Sequence, residues 1–567
     1  MIGRFPILDI SPVVEFGGEQ VGVKAIPDES IKVSATIIRE GHEGFAANVN
    51  LIDPKGRTVS SWAMHEIWPG SSRYEAEVRP TTLGTWHFQI EVKAENPGEF
   101  RKTLIATSPK FPIEVERERA LVGSWYEFFP RSEGAVRNSD GTITSGTFKS
   151  AAKRIPEIAE MGFDVLYIPP IHPIGITHRK GKNNSLTATS SDPGVPWGVG
   201  NQAGGHDAIN PELGTIEDFK DFLKIAKKNG VEVALDLALQ CSPDHPWVKT
   251  HPEWFTKRAD GSIAYAENPP KKYEDIYPIN FDNDYPGLFK EVHRIVKYWI
   301  DLGIKVFRVD NPHTKPVYFW QALIAEVRKT DPDVVFLSEA FTNPPMMHAL
   351  GKAGFQQSYT YFTWRVTKSE LIDYGREVSE TTSAFFRPNF WVNTPDILPF
   401  HLQSGNPAIF AMRAVLAATL SPSWGMYAGY ELYENLPIAE GKEEYRDSEK
   451  YEIRIRDWNG AIKKGLSLAP FITELNAIRK KNIALQRLRN LIFHETNSDQ
   501  IIAYSKRERD NLILVVVNLD GLHAREATIN WNLSALGLDT DQFEVQDLLD
   551  GSKYRWSSST YVKLDPA

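Results

Sequence analysis

At 567 residues the chain exceeds what one hydrophobic core sustains, and ordinary domain sizes predict about three or four units. A 41% hydrophobic and 24% charged composition excludes global disorder, and a net charge of −9 offers no basic field for nucleic acid or an anionic membrane. The one cysteine, Cys241, excludes an intramolecular disulfide and fits a reducing compartment.

The opening "MIGRFPILDISPVVEF" has no charged start followed by an apolar core, and no stretch approaches about 18 uninterrupted apolar residues. The reading is therefore a soluble, cytoplasmic protein with no nucleic-acid or membrane partner. Residues 1–115 read as β: "IKVSATIIRE", "GFAANVNLI", "SSRYEAEVRP" and "TWHFQIEVKA" are strand-length runs separated by Gly, Pro and Asp turns. Their pitch predicts an immunoglobulin-like sandwich.

From 116 to 484 the rhythm becomes strand, loop, helix. Strands are expected at 124–130, 163–171, 231–239, 305–310, 334–340, 388–393 and 421–429. Helix-period segments lie between several of them. "TIEDFKDFLKIAKKNG" opens with Thr215 as N-cap and closes on Gly230 as the left-handed residue beyond the helix. Repeated βα units over this length predict a (β/α)8 TIM barrel, hence an α/β fold class. A Pro-, Trp- and charge-rich stretch at 241–290 is read as an excursion after the third strand that overhangs the site. Strand-like runs from 485 to 567 predict a C-terminal β domain, and a further closing strand is expected beyond the last residue.

Three carboxylates end short apolar runs: Asp310 in "KVFRVDNPHTKP", Glu339 in "VVFLSEAF" and Asp396 in "FWVNTPDIL". A charge just past a buried strand is costly unless something uses it, and barrel strand C-termini are where chemistry sits. Two acids flanking a sugar with a third gripping it form the apparatus of retaining glycosyl transfer. Arg308 precedes Asp310 by two residues, so both point to one face and the guanidinium supplies a counter-charge. Taken alone, Asp310 could be only the ion-pair partner of Arg308.

These segments, with "DLALQCSPDHP" after the third strand, resemble the α-amylase superfamily. The resemblance implies Asp310 as nucleophile, Glu339 as general acid/base and Asp396 as the residue that binds sugar hydroxyls. Two departures narrow it. Amylases usually carry a histidine where this chain has Gln240-Cys241, and His-Asp where it has Pro395-Asp396. With "WYEFFPRS", "THRKGKNN", "PWGVGNQAGGHDAINPELGT", "YAENPPKKYEDIYP" and "DSEKYEIRIRDW", the chain is similar to the bacterial maltosyltransferases that use α-maltose 1-phosphate. Those enzymes lengthen α-1,4-glucans at non-reducing ends.

That resemblance implies a donor-phosphate site at Lys180, Gln240, Asn268, Lys271, Tyr273 and Asn311. The residue types suit it, because a phosphate monoester carries about −1.5 to −2 charges and needs cations and hydrogen-bond donors. Lys180 would otherwise be an ordinary solvated basic loop, and of the adjacent Lys271 and Lys272 at most one is expected to face the donor. Lys450 and Tyr451 are implied as contacts to the far end of the disaccharide. No metal or redox cofactor is implied. His206, His245 and His313 are read as structural, Asp244 lacks the carboxylate cluster of a calcium site, and Cys241 is read as a packed small residue. A hydrolase or trehalose-type transglycosylase of the same superfamily, and more distantly a non-catalytic glycan-binding protein, are the other readings. The resemblance implies a homodimer, but the helical segment that helps form it in such maltosyltransferases is missing after the sandwich, which puts dimerisation by that route in question.

Overall fold

The structure, a computed structural model, describes residues 4–40, 44–95, 105–268 and 271–566; the side chains of Asn268 and Lys271 lie outside the described atoms. The N-terminal unit is a sandwich of two sheets. One contains Ile7–Ser11, Ile31–Ile37, Arg73–Val78 and His65–Glu66; the other is built on Val23–Ala25, Phe111–Val115, Gly84–Ala94, Phe45–Ile52 and Thr58–Ala63. Alternation makes this core: in Ile31–Ile37 residues 31, 33, 35 and 37 are buried while Lys32 faces solvent. No helix occurs among its described residues.

Eight parallel strands form the barrel: β1 (Gly123–Glu127), β2 (Val165–Ile168), β3 (Glu232–Leu237), β4 (Val306–Asp310), β5 (Val335–Glu339), β6 (Gln357–Ser358), β7 (Phe390–Trp391) and β8 (Ser423–Tyr427). Their order, β6-β5-β4-β3-β2-β1-β8-β7, closes through a parallel bridge between Ser358 and Pro388, where Asn389 N–H donates to Ser358 O at 2.9 Å. β6 is the strand the sequence hides. Its two residues carry no apolar run, and it is held by pairing with β5 rather than by propensity.

The period of two divides each strand between two cores. Trp125, Val165, Ala234, Val306, Val335 and Leu337 belong to a small interior cluster with Tyr167, Tyr359 and Trp391. Leu166, Val233, Leu235, Phe307, Val309 and Phe336 pack outward against the helices. Gly425 is needed here: a Cβ on it would lie 2.6 Å from the Trp391 ring that fills the interior.

The helix Ile216–Lys228 begins as expected. The Thr215 hydroxyl accepts from Asp218 N–H at 3.2 Å and the Asp218 carboxylate accepts from Thr215 N–H at 2.9 Å. Gly230 follows at φ 73°. After β3 the chain leaves the barrel: Gln240–Cys241 pairs with Tyr277–Pro278, and Ala266–Asn268 pairs with Lys271–Tyr273 as a hairpin. The next helix, Tyr285–Asp301, is capped by Asp284, so the expected end of the excursion at 290 falls inside a helix. The C-terminal unit is an antiparallel sheet of Leu491–Thr496, Ile501–Glu508, Asn511–Asn518, Arg525–Asn530 and Ser559–Leu564, with a hairpin of Gln542–Gln546 and Lys553–Ser557. Among the described residues no helix is long and apolar enough to cross a membrane.

Candidate active site

The interior of the barrel turns from apolar to charged as its strands rise. Following inward positions two at a time leads from Trp125 to Glu127, Val165 to Tyr167, Ala234 to Asp236, Val306 through Arg308 to Asp310, and Val335 through Leu337 to Glu339. One guanidinium organises this layer. Arg308 donates to Asp236 at 2.8 Å and to Asp310 Oδ1 at 3.0 Å through one nitrogen, and pairs with Glu339 Oε1 at 2.8 Å through the other. The rings of Tyr167 and Tyr359 flank it at 5.4 and 5.8 Å. Asp310 and Glu339 are register partners on neighbouring strands. Strands lie about 4.8 Å apart, which suits the roughly 5–5.5 Å of retaining carboxyl pairs and not the wider inverting spacing.

Each acid has one oxygen engaged and the other placed differently. Asp310 Oδ2 is buried with no hydrogen-bond partner, which leaves it available to an incoming atom. Glu339 Oε2 accepts from Asn311 N–H at 3.2 Å. Asn311 sits at φ 43°, a left-handed conformation that asparagine tolerates, and Lys315 Nζ secures the turn by donating to the carbonyls of Asp310 and Asn311 at 3.2 Å each.

Four buried carboxyls around one cation cannot all be ionised. Burial pushes Glu339 up to about 8; the Asp310 and Asp396 charges add to this, while Arg308 opposes it. Burial likewise raises Asp236 to about 7, against the pull of Arg308. Glu127 is pushed well above the carboxylate range by burial, and its Oε2 has no partner. Near neutral pH the layer therefore holds protons, Glu339 among the groups that carry them.

The loops above add the cations. Asp396 stands in a tight turn in which Thr394 and Ile397 exchange backbone bonds at 3.1 Å, and Lys450 forms an ion pair with it. The Lys450 ammonium lies 5.8 Å from the ring centres of both Trp197 and Tyr451, and Tyr273 is close enough to act on it electrostatically. Lys180 is buried; its charge and that of Lys450 both act on Asp275. Asp244 pins the loop carrying Lys180 by accepting from Ile176 and Thr177 N–H, each at 2.7 Å. A reciprocal pair of bonds between Asn183 and Asp447, 3.0 and 2.8 Å long, clasps the Lys180 loop to the Lys450 segment.

The structure thus brings Arg308, Asp310, Asn311 and Glu339 into direct contact, and gathers Lys180, Tyr273, Asp396, Lys450 and Tyr451 around Asp275. Gln240 borders this group, its amide donating to Trp197 O at 3.2 Å. Asn268 and Lys271 face each other in backbone register across the hairpin that carries Tyr273. Sequence reading missed Glu127, Tyr167, Asp236, Trp197 and Asp275. The first three were legible in the two-residue stepping of strands already identified; Trp197 and Asp275 lie in irregular loops that no period announces.

A buried trio of His206, Cys241 and His245 could hold a metal by distance alone. Its hydrogen bonds argue otherwise. His245 Nδ1 accepts from Trp247 N–H at 3.1 Å, which places the proton on Nε2. That nitrogen faces His206 Nδ1 at 3.1 Å, and His206 Nε2 faces Ala238 O at 2.9 Å. The protons run one way along this chain, and both ring nitrogens that would bind an ion are occupied.

A closed (β/α)8 barrel with this acid cluster at its strand C-termini has the α-amylase fold. It is similar to the maltogenic α-amylase AmyB of Thermotoga neapolitana, with a TM-score of 0.61 at 20% identity over 79% of this chain and 97% of that one. It is also similar to the Geobacillus thermoleovorans α-amylase complexed with acarbose, with a TM-score of 0.60 at 17% identity over 78% and 96%. Family models described as "Alpha-1,4-glucan:maltose-1-phosphate maltosyltransferase, domain N/S" and "GLGE, C-terminal" match residues 3–117 and 493–567. The alpha-1,4-glucan:maltose-1-phosphate maltosyltransferase of Mycolicibacterium smegmatis is 56% identical over 670 aligned positions, covering all of this chain and 96% of that protein. Maltosyltransferase 1 of Streptomyces coelicolor is 49% identical over 642 positions, covering 100% and 94%. The chain belongs to the α-1,4-glucan:maltose-1-phosphate maltosyltransferase family. Both alignments are longer than the 567 residues here, so these relatives carry stretches that this chain does not.

Proposed function

We propose that Asp310, Glu339 and Asp396 carry out retaining maltosyl transfer from α-maltose 1-phosphate to the non-reducing end of an α-1,4-glucan, in the cytoplasm and without metal or redox cofactor. The observation that carries this reading is the Arg308 fork, which holds two neighbouring carboxyls while leaving Asp310 Oδ2 without a partner. Asp310 attacks the anomeric carbon as the bond to the phosphate oxygen breaks, and phosphate leaves with the electron pair and takes the Glu339 proton, which leaves Glu339 as a carboxylate. The product is a β-maltosyl ester on Asp310. Glu339 then takes the proton from the acceptor's 4-hydroxyl, whose oxygen attacks the same carbon, restores the α configuration and frees Asp310.

Electrostatics supports the change of role. While Asp310 is anionic its charge helps keep Glu339 protonated. Once Asp310 is esterified that charge is gone, and Glu339 becomes the base the acceptor needs. A pocket rich in carboxyls would repel a phosphate ester, and Lys180 and Lys271, with Gln240, Asn268, Tyr273 and Asn311, offset this. Lys450 and Tyr451 bound the donor at two sugars, with Lys450 also fixing the orientation of Asp396.

Orthophosphate release from maltose 1-phosphate, followed with and without maltohexaose, tests the reaction. Release should depend on the acceptor and match glucan elongation. Equal release in water alone would instead assign a hydrolase. With Glu339→Ala, intact mass should show a maltosyl adduct under saturating donor, and a protein that stays unmodified would remove the assigned roles.

A further inference from the structure

At the end of the barrel opposite the acids, a cleft of about 470 Å³ opens beside the starts of β1 and β3. Arg117, Arg119, Asp164, Glu232, Arg479 and Lys480 line it, with Gly123 and Ser124 of β1 between them. Its volume lies within the roughly 300–1,000 Å³ of small-molecule sites. Two of its acids are already neutralised. Glu232 pairs with Arg117 at 2.7 Å and Arg119 at 3.0 Å, while Asp164 pairs with Arg119 at 2.8 Å and accepts from Ser124 N–H at 2.8 Å.

The cations on the other wall are not matched. Arg479, 3% exposed, has no carboxylate in contact among the described residues: its two terminal nitrogens donate to backbone carbonyls, to Ala418 O and Ser421 O (3.0 Å) from one and to Pro422 O (2.8 Å) and Gly123 O (3.4 Å) from the other, and its buried Nε has no partner. Behind it Arg487, 8% exposed, also has an unpartnered Nε, and the fully buried Lys506 reaches, among the described residues, only Leu420 O at 3.5 Å. Among the described residues no carboxylate lies within ion-pair distance of Arg479, Lys480, Arg487 or Lys506. Buried cations left unpaired are costly, and a site that keeps several together is short of an anion. Burial and the two neighbouring arginines pull Lys506 well below the usual lysine range, a further sign of uncompensated positive charge.

We propose that this cleft is a second binding site, distinct from the catalytic pocket, for a phosphorylated sugar whose phosphate meets Lys480 and is drawn by the buried positive charge of Arg479, and whose hydroxyls meet Glu232; Glu118 also lines the cleft, and its charge opposes the phosphate. β1 runs from Gly123 in the cleft to Glu127 in the catalytic layer, so an occupant touches a strand the active site shares.

Calorimetric titration of the full chain with glucose 6-phosphate tests the site, with glucose and inorganic phosphate as parallel arms. Lys480 and Glu118 are both exposed, so changes there leave the fold intact. Glucose 6-phosphate should bind, Lys480→Glu should weaken it at least tenfold, and Glu118→Lys should tighten it severalfold. Glucose alone should give no heat, inorganic phosphate should bind more weakly than the ester, and turnover of maltose 1-phosphate without effector should be unchanged in both variants. An absence of binding, or one affinity shared by all three proteins, would overturn the proposal; the second result would place the phosphate in the catalytic pocket.

Discussion

In the proposed reaction Glu339 gives a proton and later takes one, and its surroundings determine when each is possible. Burial is the largest cause of its pKa near 8, with Asp310 and Asp396 adding and Arg308 subtracting. The protonated form of the free enzyme is therefore lost as pH rises through about 8. A donor with a poor leaving group, which needs the acid, should show kcat/KM falling on that alkaline limb. Asp396→Asn removes one negative neighbour, so the limb should move to lower pH, by a fraction of a unit to about one unit. A pH profile on such a donor checks the sign. A limb that stays in place or moves upward would mean that the carboxylates do not act on Glu339 as described. Asp310→Asn should abolish transfer with every donor, because the attacking oxygen is lost.

At the scale of loops and strands, the cations matter only if two separate segments stay together. The Asn183–Asp447 clasp is the tie, and both residues adopt left-handed backbone, at φ 50° and 54°, to make it. Asn183→Ala should raise KM for maltose 1-phosphate about three- to tenfold, as expected for one or two hydrogen bonds of about 0.5–1.5 kcal/mol each. The value of kcat and the melting temperature should hardly change, since the loop contributes little core. Steady-state kinetics with the donor varied is the measurement, and an unchanged KM would show the clasp to be incidental. Strands β1 to β5 and β8 were readable because each runs through two cores and keeps its apolar residues on both faces. β7 was readable as a longer run than the two residues that pair. β6 was not, because Gln357 and Ser358 have no apolar pattern and their place is set by neighbours distant in the chain. Asp310, Glu339 and Asp396, the acids assigned to catalysis above, stood out as charges ending apolar runs. The pairing of Lys450 with Asp396 did not, because loops bring those residues together without any period.

Across the whole molecule, the sandwich is joined to the barrel by a seam that looks like solvated charge in "IEVERER". Glu116 is buried there. It accepts from Arg387 at 2.5 Å and Gln356 at 3.0 Å, and Arg328 lies 3.6 Å away. Arg387 immediately precedes the β7 region and also donates to Ala25 O of the sandwich at 2.8 Å; Lys24, one residue earlier, donates to Phe355 O. Arg489 extends the seam to the C-terminal unit, donating to Lys24 O at 2.7 Å and Ser383 O at 2.8 Å and pairing with Glu29. Several cations thus depend on few acids. Arg328 has a second partner in Glu114, at 2.5 Å, whereas no other described carboxylate pairs with Arg387. Glu116→Ala strands Arg387 and Lys24 in a buried setting and should cost about 3–5 kcal/mol, the usual loss when one member of a buried pair is removed. Arg387→Met should cost less, because Glu116 keeps Arg328 and Lys24 as counter-charges. Urea unfolding followed by tryptophan fluorescence should rank the two variants in that order, with Glu116→Ala keeping normal turnover per folded molecule because the acid cluster lies at the other end of the strands. If Arg387→Met proved the more damaging, the seam would be held by the arginine's contacts to Ala25 and Ala120 rather than by charge balance around Glu116.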